Sequence, residues 1–342
     1  MVDECVTSLR GLIKAGKVPG GALYIYDRGE ELFFYDGYAQ IVPAKRPISR
    51  DTLYDIASLT KVVATAPAVM RLCEDERIRI DQPIGDLLEE FRNRPNHRIT
   101  IRQLLYHSSG LKPWYPTYAI NQEERLPYLA DLKPDFVPGT DVQYSCLNYI
   151  ILGVMIERVS GKDLRIFTRE NIFKPLKMHE TDFGPVDKNR AVTTEVGDEH
   201  ERKLAEPCLK NDFRWRDYPI TGEVHDGNAY YGFNGLAGNA GLFSTIGDLA
   251  IFVKSLLNYR FPLKKKTIEE MERPLQDRGV GWIIKGDKTL FHAGFTGCGI
   301  WLNRAEGWAV VFLSNLIHPR VVLGLGDQVR ERIIRTFRAA RS

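Results

Sequence analysis

Both ends of this 342-residue chain read as strands and its middle reads as helices, and that distribution restricts the folds open to it. Residues 20–26 and 32–38 form two strand-like runs joined by a turn at Asp27-Arg28-Gly29-Glu30. Near the other end, residues 280–284, 289–295, 299–302 and 309–313 are strand-like, with turn residues between them. A lone two-stranded hairpin is marginal in water. The economical solution pairs it with the C-terminal strands in one antiparallel sheet. A short amphipathic helix (Val6, Leu9, Leu12, Ile13) and a closing helix over 320–337 then cover that sheet. The expectation is an α+β fold: a discontinuous sheet domain of residues 1–60 and 230–342, with a mostly helical domain inserted at 61–229. The functional cleft would lie between them.

Helices in the middle are marked by spacing and by their ends. Val62, Val63, Ala66, Val69, Met70 and Cys73 recur at helical period, giving one buried face. Thr100 and Gln103 read as a capping box with Gly110 as the stop. Leu147, Ile150, Ile151, Val154, Met155 and Val159 make another helix ended by Gly161, and Thr245 with Asp248 caps a further one. Between about 185 and 241 the periodicity fades into Gly, Asn and charged residues. A long irregular stretch in a compact protein is commonly functional.

Composition removes several classes of function. Forty-seven basic residues against forty-four acidic ones give a net charge of +3, a mixed surface and no nucleic-acid footprint. The C-terminal arginines (Arg320, Arg330, Arg332, Arg335, Arg338, Arg341) fit a solvated terminal helix. The longest apolar runs, 62–70 and 149–156, fall well short of the ~20 residues of a membrane span. Asp3, Glu4, Arg10 and Lys14 interrupt any secretory core, so a cytoplasmic location is expected. Five scattered cysteines without a Cys-x-x-Cys, and seven histidines without His-Glu-x-x-His, point to no disulfide framework and no metal.

Chemistry concentrates at Ser58-Leu59-Thr60-Lys61. A serine hydroxyl is a weak nucleophile that needs a base within hydrogen-bond reach. On a helix, positions i and i+3 share a face, which brings Lys61 Nζ to Ser58 Oγ. At a helix start, backbone N–H groups and the positive dipole end also face the reacting centre. Lysine serves as a base once burial or a neighbouring cation lowers its pKa. The four-residue pattern alone is weak, since Ser109 and Lys112 repeat it.

Context strengthens it. The run Asp51-Thr-Leu-Tyr-Asp-Ile-Ala-Ser-Leu-Thr-Lys-Val62 resembles the active-site helix of the serine β-lactamase and penicillin-binding-protein superfamily. Its class C-like branch, which includes esterases and D-amino-acid peptidases, is the best match. The resemblance continues through Ile99-Thr-Ile-Arg-Gln-Leu-Leu-Tyr-His-Ser-Ser-Gly-Leu111 and Tyr144-Ser-Cys-Leu-Asn-Tyr149. Phe173-Lys-Pro-Leu-Lys-Met178, Ala240-Gly-Leu-Phe-Ser-Thr245 and Phe291-His-Ala-Gly-Phe-Thr-Gly297 follow in family order. It implies a β-lactamase/transpeptidase-like fold and a cofactor-free acyl-enzyme on Ser58, with Lys61 as base. Tyr144, as phenol or phenolate, would relay protons. His292 would assist Tyr144 or meet a substrate carboxylate. The backbone N–H groups of Ser58 and Phe295 would form the oxyanion hole. Cys146, Asn148 and Gly294 would line the substrate.

Two departures bear on substrate. The family's Tyr-x-Asn element has Cys146 at its third position, and a thiol is a poor substitute for an amide. His292 stands where lactamases place lysine. Both favour small carboxylic esters or D-amino-acid-type amides over β-lactams. A true β-lactamase, a D-Ala-D-Ala carboxypeptidase and a non-catalytic penicillin-binding-like sensor are the alternatives, and oligomeric state is left open. Gly222-Glu-Val-His-Asp-Gly-Asn-Ala229 resembles a loop of a subset of these hydrolases, in which histidine is common at the position of Asn239. It reads as part of the cleft rim.

Overall fold

The chain ends meet in one sheet because their apolar residues alternate in step. In the computed structural model, which describes residues 2–209 and 212–341, seven antiparallel strands form the main sheet. The N-terminal part supplies β1 (Gly20–Asp27), β2 (Glu30–Gln40) and β3 (Arg46–Pro47). The C-terminal part supplies β4 (Ile283–Ile284), β5 (Leu290–Ala293), β6 (Gly299–Asn303) and β7 (Trp308–Ser314). Their order is β3-β2-β1-β7-β6-β5-β4. The expected junction of the two ends is therefore the β1–β7 pair, in register from Gly21 opposite Ser314 to Asp27 opposite Trp308. The β1–β2 turn carries Arg28 at φ 51° and Gly29 at φ 99°, the left-handed pair that a two-residue hairpin needs to match strand twist.

β7 is buried along its whole length because both faces of the sheet are covered. Trp308, Val310 and Phe312 join Leu23 and Ile25 of β1 beneath the terminal helices α1 (Val2–Lys14) and α5 (Leu325–Arg341). Leu9, Leu12, Ile333, Ile334 and Phe337 supply that layer. Ala309, Val311 and Leu313 turn the other way, into the main core shared with the central helices. These are α2 (Ala66–Glu74), α3 (Cys146–Ser160) and α4 (Ile246–Leu257). Gly161 at φ 70° ends α3, and the Thr245 hydroxyl accepts from the Asp248 amide at the start of α4, both as the sequence implied.

Three expectations change. α5 starts at Leu325 and not at 320, because Gly324 sits at φ 77° and breaks any helix running through it. The capping box of Thr100 and Gln103 is present, yet its helix stops at Leu105. His107, at φ 57°, turns the chain before Gly110 is reached. The stretch 185–241 carries more structure than its composition implied. Thr193–Val196 pairs with Pro219–Thr221, and Glu199–Ala205 is helical. A buried Asp198–Arg216 ion pair anchors it, with Arg216 Nη1 and Nη2 also donating to the carbonyls of Val224 and His225.

Candidate active site

The nucleophile turn is built from one buried carboxylate. Tyr54–Asp55 is a short strand paired with Leu242–Ser244. The chain then bends sharply at Ala57, whose φ of 46° is a left-handed conformation that costs an L-residue roughly 1–2 kcal/mol. Asp55 holds it there. Its Oδ1 accepts from the Ala57 amide at 2.8 Å, and its Oδ2 accepts from the His225 amide at 2.8 Å. Thr60 Oγ1 closes the turn by donating to the Ala57 carbonyl at 2.6 Å. Ser58 thus sits in a single 3-10 turn, Ala57–Leu59, and not at the start of a regular α-helix. Lys61–Thr65 follows as a wide π turn, in which the Ala66 amide reaches back to the Lys61 carbonyl. Pro67, which has no N–H to donate, lies immediately beyond it.

Lys61 Nζ lies 3.0 Å from Ser58 Oγ, 2.8 Å from the Asn239 carbonyl oxygen and 3.6 Å from Cys146 Sγ. It also lies 5.1 Å from the centroid of the Tyr144 ring. The side chain is fully buried, and these hydrogen-bond partners are a hydroxyl, a carbonyl and a thiol, none of them a carboxylate. Burial pushes the ammonium pKa below its ordinary value, with Cys146 and Asp226 partly offsetting it. A lysine in this setting can be present as the free amine.

Tyr144 closes the site from the segment before α3. The Cys146 thiol lies 4.0 Å from its phenol oxygen. Enclosure, followed by Cys146, raises its pKa well above 10, so the group is a neutral phenol and not a phenolate. His292 approaches from β5, its ring 6.1 Å from that of Tyr144. Its Nδ1 bonds the Ala293 carbonyl at 2.9 Å, which places the proton on Nδ1 and a lone pair on Nε2. Burial, then Lys61, lowers its pKa to about 3. Its Nε2 is buried without a hydrogen-bond partner among the described residues.

Gly294 and Phe295 continue from β5 onto the nucleophile turn. A Cβ on Gly294 would lie 2.5 Å from the Ile56 carbonyl oxygen, so glycine allows the two backbones to touch. Gly294 is therefore a close-packing position between β5 and the nucleophile turn. Thr296 Oγ1 ties the same loop to the Asp55 carbonyl at 2.7 Å. Among the described residues, the amides of Ser58 and Phe295 have no hydrogen-bond acceptor, leaving two donors free on adjoining segments. The Phe295 ring, 43% exposed, stacks on His225 and His200 at 5.6 and 5.1 Å.

Asn148 borders the site behind His107, whose Nδ1 lies 3.5 Å from Asn148 Nδ2. Cys146 and Asn148 are two residues apart on α3 and so project about 200° apart. With Cys146 facing Lys61, Asn148 turns into the protein, where its Oδ1 accepts from Ser109 Oγ at 2.6 Å. That bond also explains the second Ser-x-x-Lys: Ser109 is a buried structural hydroxyl. The sequence reading missed His107 as a site residue. Its ring lies 4.6 Å from that of Tyr144 and its Nδ1 accepts from the Ser145 amide at 3.1 Å. Burial and Lys61 keep it neutral. Its only signal was its place in the Tyr-His-Ser-Ser-Gly run. Among the described residues, no three His, Cys, Asp or Glu side chains converge as a metal site.

The chain is similar to several known proteins. A Bacillus subtilis (strain 168) protein named N-acetylmuramyl-L-alanine amidase is 26% identical to this chain, covering 91% of it and 77% of the relative. A putative D-alanyl-D-alanine carboxypeptidase of Escherichia coli O157:H7 is 29% identical, covering 84% and 74%. The solved structure of EstCE1, a hydrolase with promiscuous acyltransferase activity, superposes with a TM-score of 0.77 at 19% identity, covering 98% of this chain and 97% of that one. The Beta-lactamase family model matches residues 3–331, and the chain belongs to that family.

Proposed function

We propose that this chain is a serine hydrolase that forms an acyl-enzyme on Ser58 and acts on small carboxylic esters or D-amino-acid-type amides. The observation that carries the reading is the 3.0 Å approach of a buried, carboxylate-free Lys61 Nζ to Ser58 Oγ. Lys61 as free amine takes the Ser58 proton while the oxygen attacks the acyl carbon. The carbonyl oxygen becomes an oxyanion held by the Ser58 and Phe295 amides. On collapse, the proton passes from Lys61 through the Tyr144 hydroxyl to the departing alkoxide or amine. Water then attacks the ester on Ser58 by the same relay in reverse. The cleft lies between a sheet portion (1–60 and 230–342) and a helical portion (61–229).

The relatives support this range of acyl chemistry. Their names speak of an amidase and a carboxypeptidase, and the similar fold of EstCE1 serves a hydrolase. Cys146 beside Lys61, where an amide side chain would engage an acyl-amide, argues against efficient lactam turnover. The test compares a p-nitrophenyl acyl ester, a D-amino-acid p-nitroanilide and a chromogenic cephalosporin, with Ser58→Ala as control. Ester or D-amide turnover that disappears in Ser58→Ala is expected. Dominant cephalosporin turnover would overturn the substrate assignment, and turnover that survives Ser58→Ala would overturn the nucleophile.

A further inference from the structure

Lys61 is buried without a carboxylate in contact, yet one stands just behind its nearest neighbour. The carbonyl oxygen of Asn239 accepts from Lys61 Nζ at 2.8 Å. The side chain of the same residue donates from Nδ2 to Asp226 Oδ1 at 3.2 Å. Asp226 is itself fixed: its Oδ1 also accepts from the Ala229 amide at 2.8 Å. The neighbouring His225 amide is held by Asp55, the carboxylate that shapes the nucleophile turn. Gly227 completes the placement, since a Cβ there would lie 2.0 Å from Glu201 Oε1. The loop 222–229 is therefore tied to Lys61 through Asn239, and its Asp226, after Cys146, acts on Lys61 against burial.

We propose that Asp226, coupled through Asn239, is the positioning residue that holds Lys61 on Ser58 and sets the pH range in which Lys61 can accept the serine proton. This deepens the proposed function and rests on Lys61 being the base. Other titratable groups also face Lys61. Tyr144, Cys146 and Tyr149 face it from the entry and first turns of α3, His107 from the turn after Leu105, and His292 from β5. Arg278 acts on both histidines from the loop before β4. Asp226 thus opposes the burial of Lys61, beside Cys146. Without it, the lysine would be neutral over a wider range but less firmly placed.

The experiment is the pH dependence of kcat/KM for a p-nitrophenyl ester in the full chain, with Asp226→Asn and Asn239→Ala beside the parent. Loss of the negative charge lowers the Lys61 pKa, so the acid limb of Asp226→Asn moves to lower pH, on the order of half a pH unit or more. Asn239→Ala keeps the backbone carbonyl but cuts the link to Asp226, and its limb moves the same way. Glu201 is the competing source of such a shift, because burial followed by Asp226 pushes its pKa up to about 7. Glu201→Gln must therefore leave the limb in place. Superimposable limbs in the parent and Asp226→Asn would overturn the proposal. So would a shift to higher pH, or a limb that moves equally in Glu201→Gln. If Asp226→Asn does not fold, an unmoved limb in Asn239→Ala overturns it alone. Activity surviving Ser58→Ala would instead refute the hydrolase reading beneath it, so the two failures are distinguishable.

Discussion

Replacing Asp55 with alanine tests how the nucleophile turn is held. Asp55 is 1% exposed, and each of its oxygens accepts one buried backbone amide, from Ala57 and from His225, at 2.8 Å. The substitution strands both donors, at about 1–3 kcal/mol for each buried group left unpaired. It also removes the restraint on Ala57, whose left-handed conformation stores roughly 1–2 kcal/mol that the turn then releases by relaxing. The net loss is about 1–4 kcal/mol, with Ser58 no longer fixed beside Lys61. Asp55→Asn keeps one acceptor and sets an NH2 against the other amide, so it falls between parent and alanine. The assay pairs urea unfolding with the rate of Ser58 labelling by a fluorophosphonate. An Asp55→Ala variant within about 0.5 kcal/mol of the parent, labelling at the parent rate, would refute the argument.

Other outcomes follow from the same contacts. His292, neutral in the folded state with a pKa of about 3, binds its proton only after unfolding between pH 6.5 and 3. The stability it contributes is present above pH 6.5 and is lost as pH falls. Between pH 7 and 5 this amounts to about 2 kcal/mol, which chemical denaturation at the two pH values measures and His292→Asn abolishes. Gly294→Ala places a methyl 2.5 Å from the Ile56 carbonyl and is expected to cut kcat/KM at least tenfold by pushing β5 off the nucleophile turn; parent-like turnover contradicts this. Asn148→Ala leaves the Ser109 hydroxyl without its acceptor and is expected to lower stability by about 1–3 kcal/mol, with KM for esters unchanged. A raised KM would return Asn148 to the substrate.

Much of this site was legible because its residues obey local rules. Ser58 and Lys61 are three apart, so even a 3-10 turn running into a π turn brings them together. The sheet was legible because β7 and β1 alternate their large side chains between two covered faces. The end of the helix that begins at Ile101 was not, because a histidine in a left-handed conformation ended it, and composition assigns that role to glycine. Asn148 was misplaced for a simpler reason: proximity in sequence to Cys146 is not proximity in space on a helix. The loop 222–229 carried too little pattern to show that it clamps both Asp55 and Asn239. Those contacts join residues as far as 170 positions apart, and no periodicity encodes them.

The central claim is that Ser58 Oγ is the atom that becomes acylated. Intact-mass measurement after treatment with a fluorophosphonate, followed by peptide mapping, tests it directly. A single adduct on the peptide containing Ser58, absent in Ser58→Ala, is the predicted result. No adduct on the folded parent, or an adduct that persists in Ser58→Ala, would contradict it.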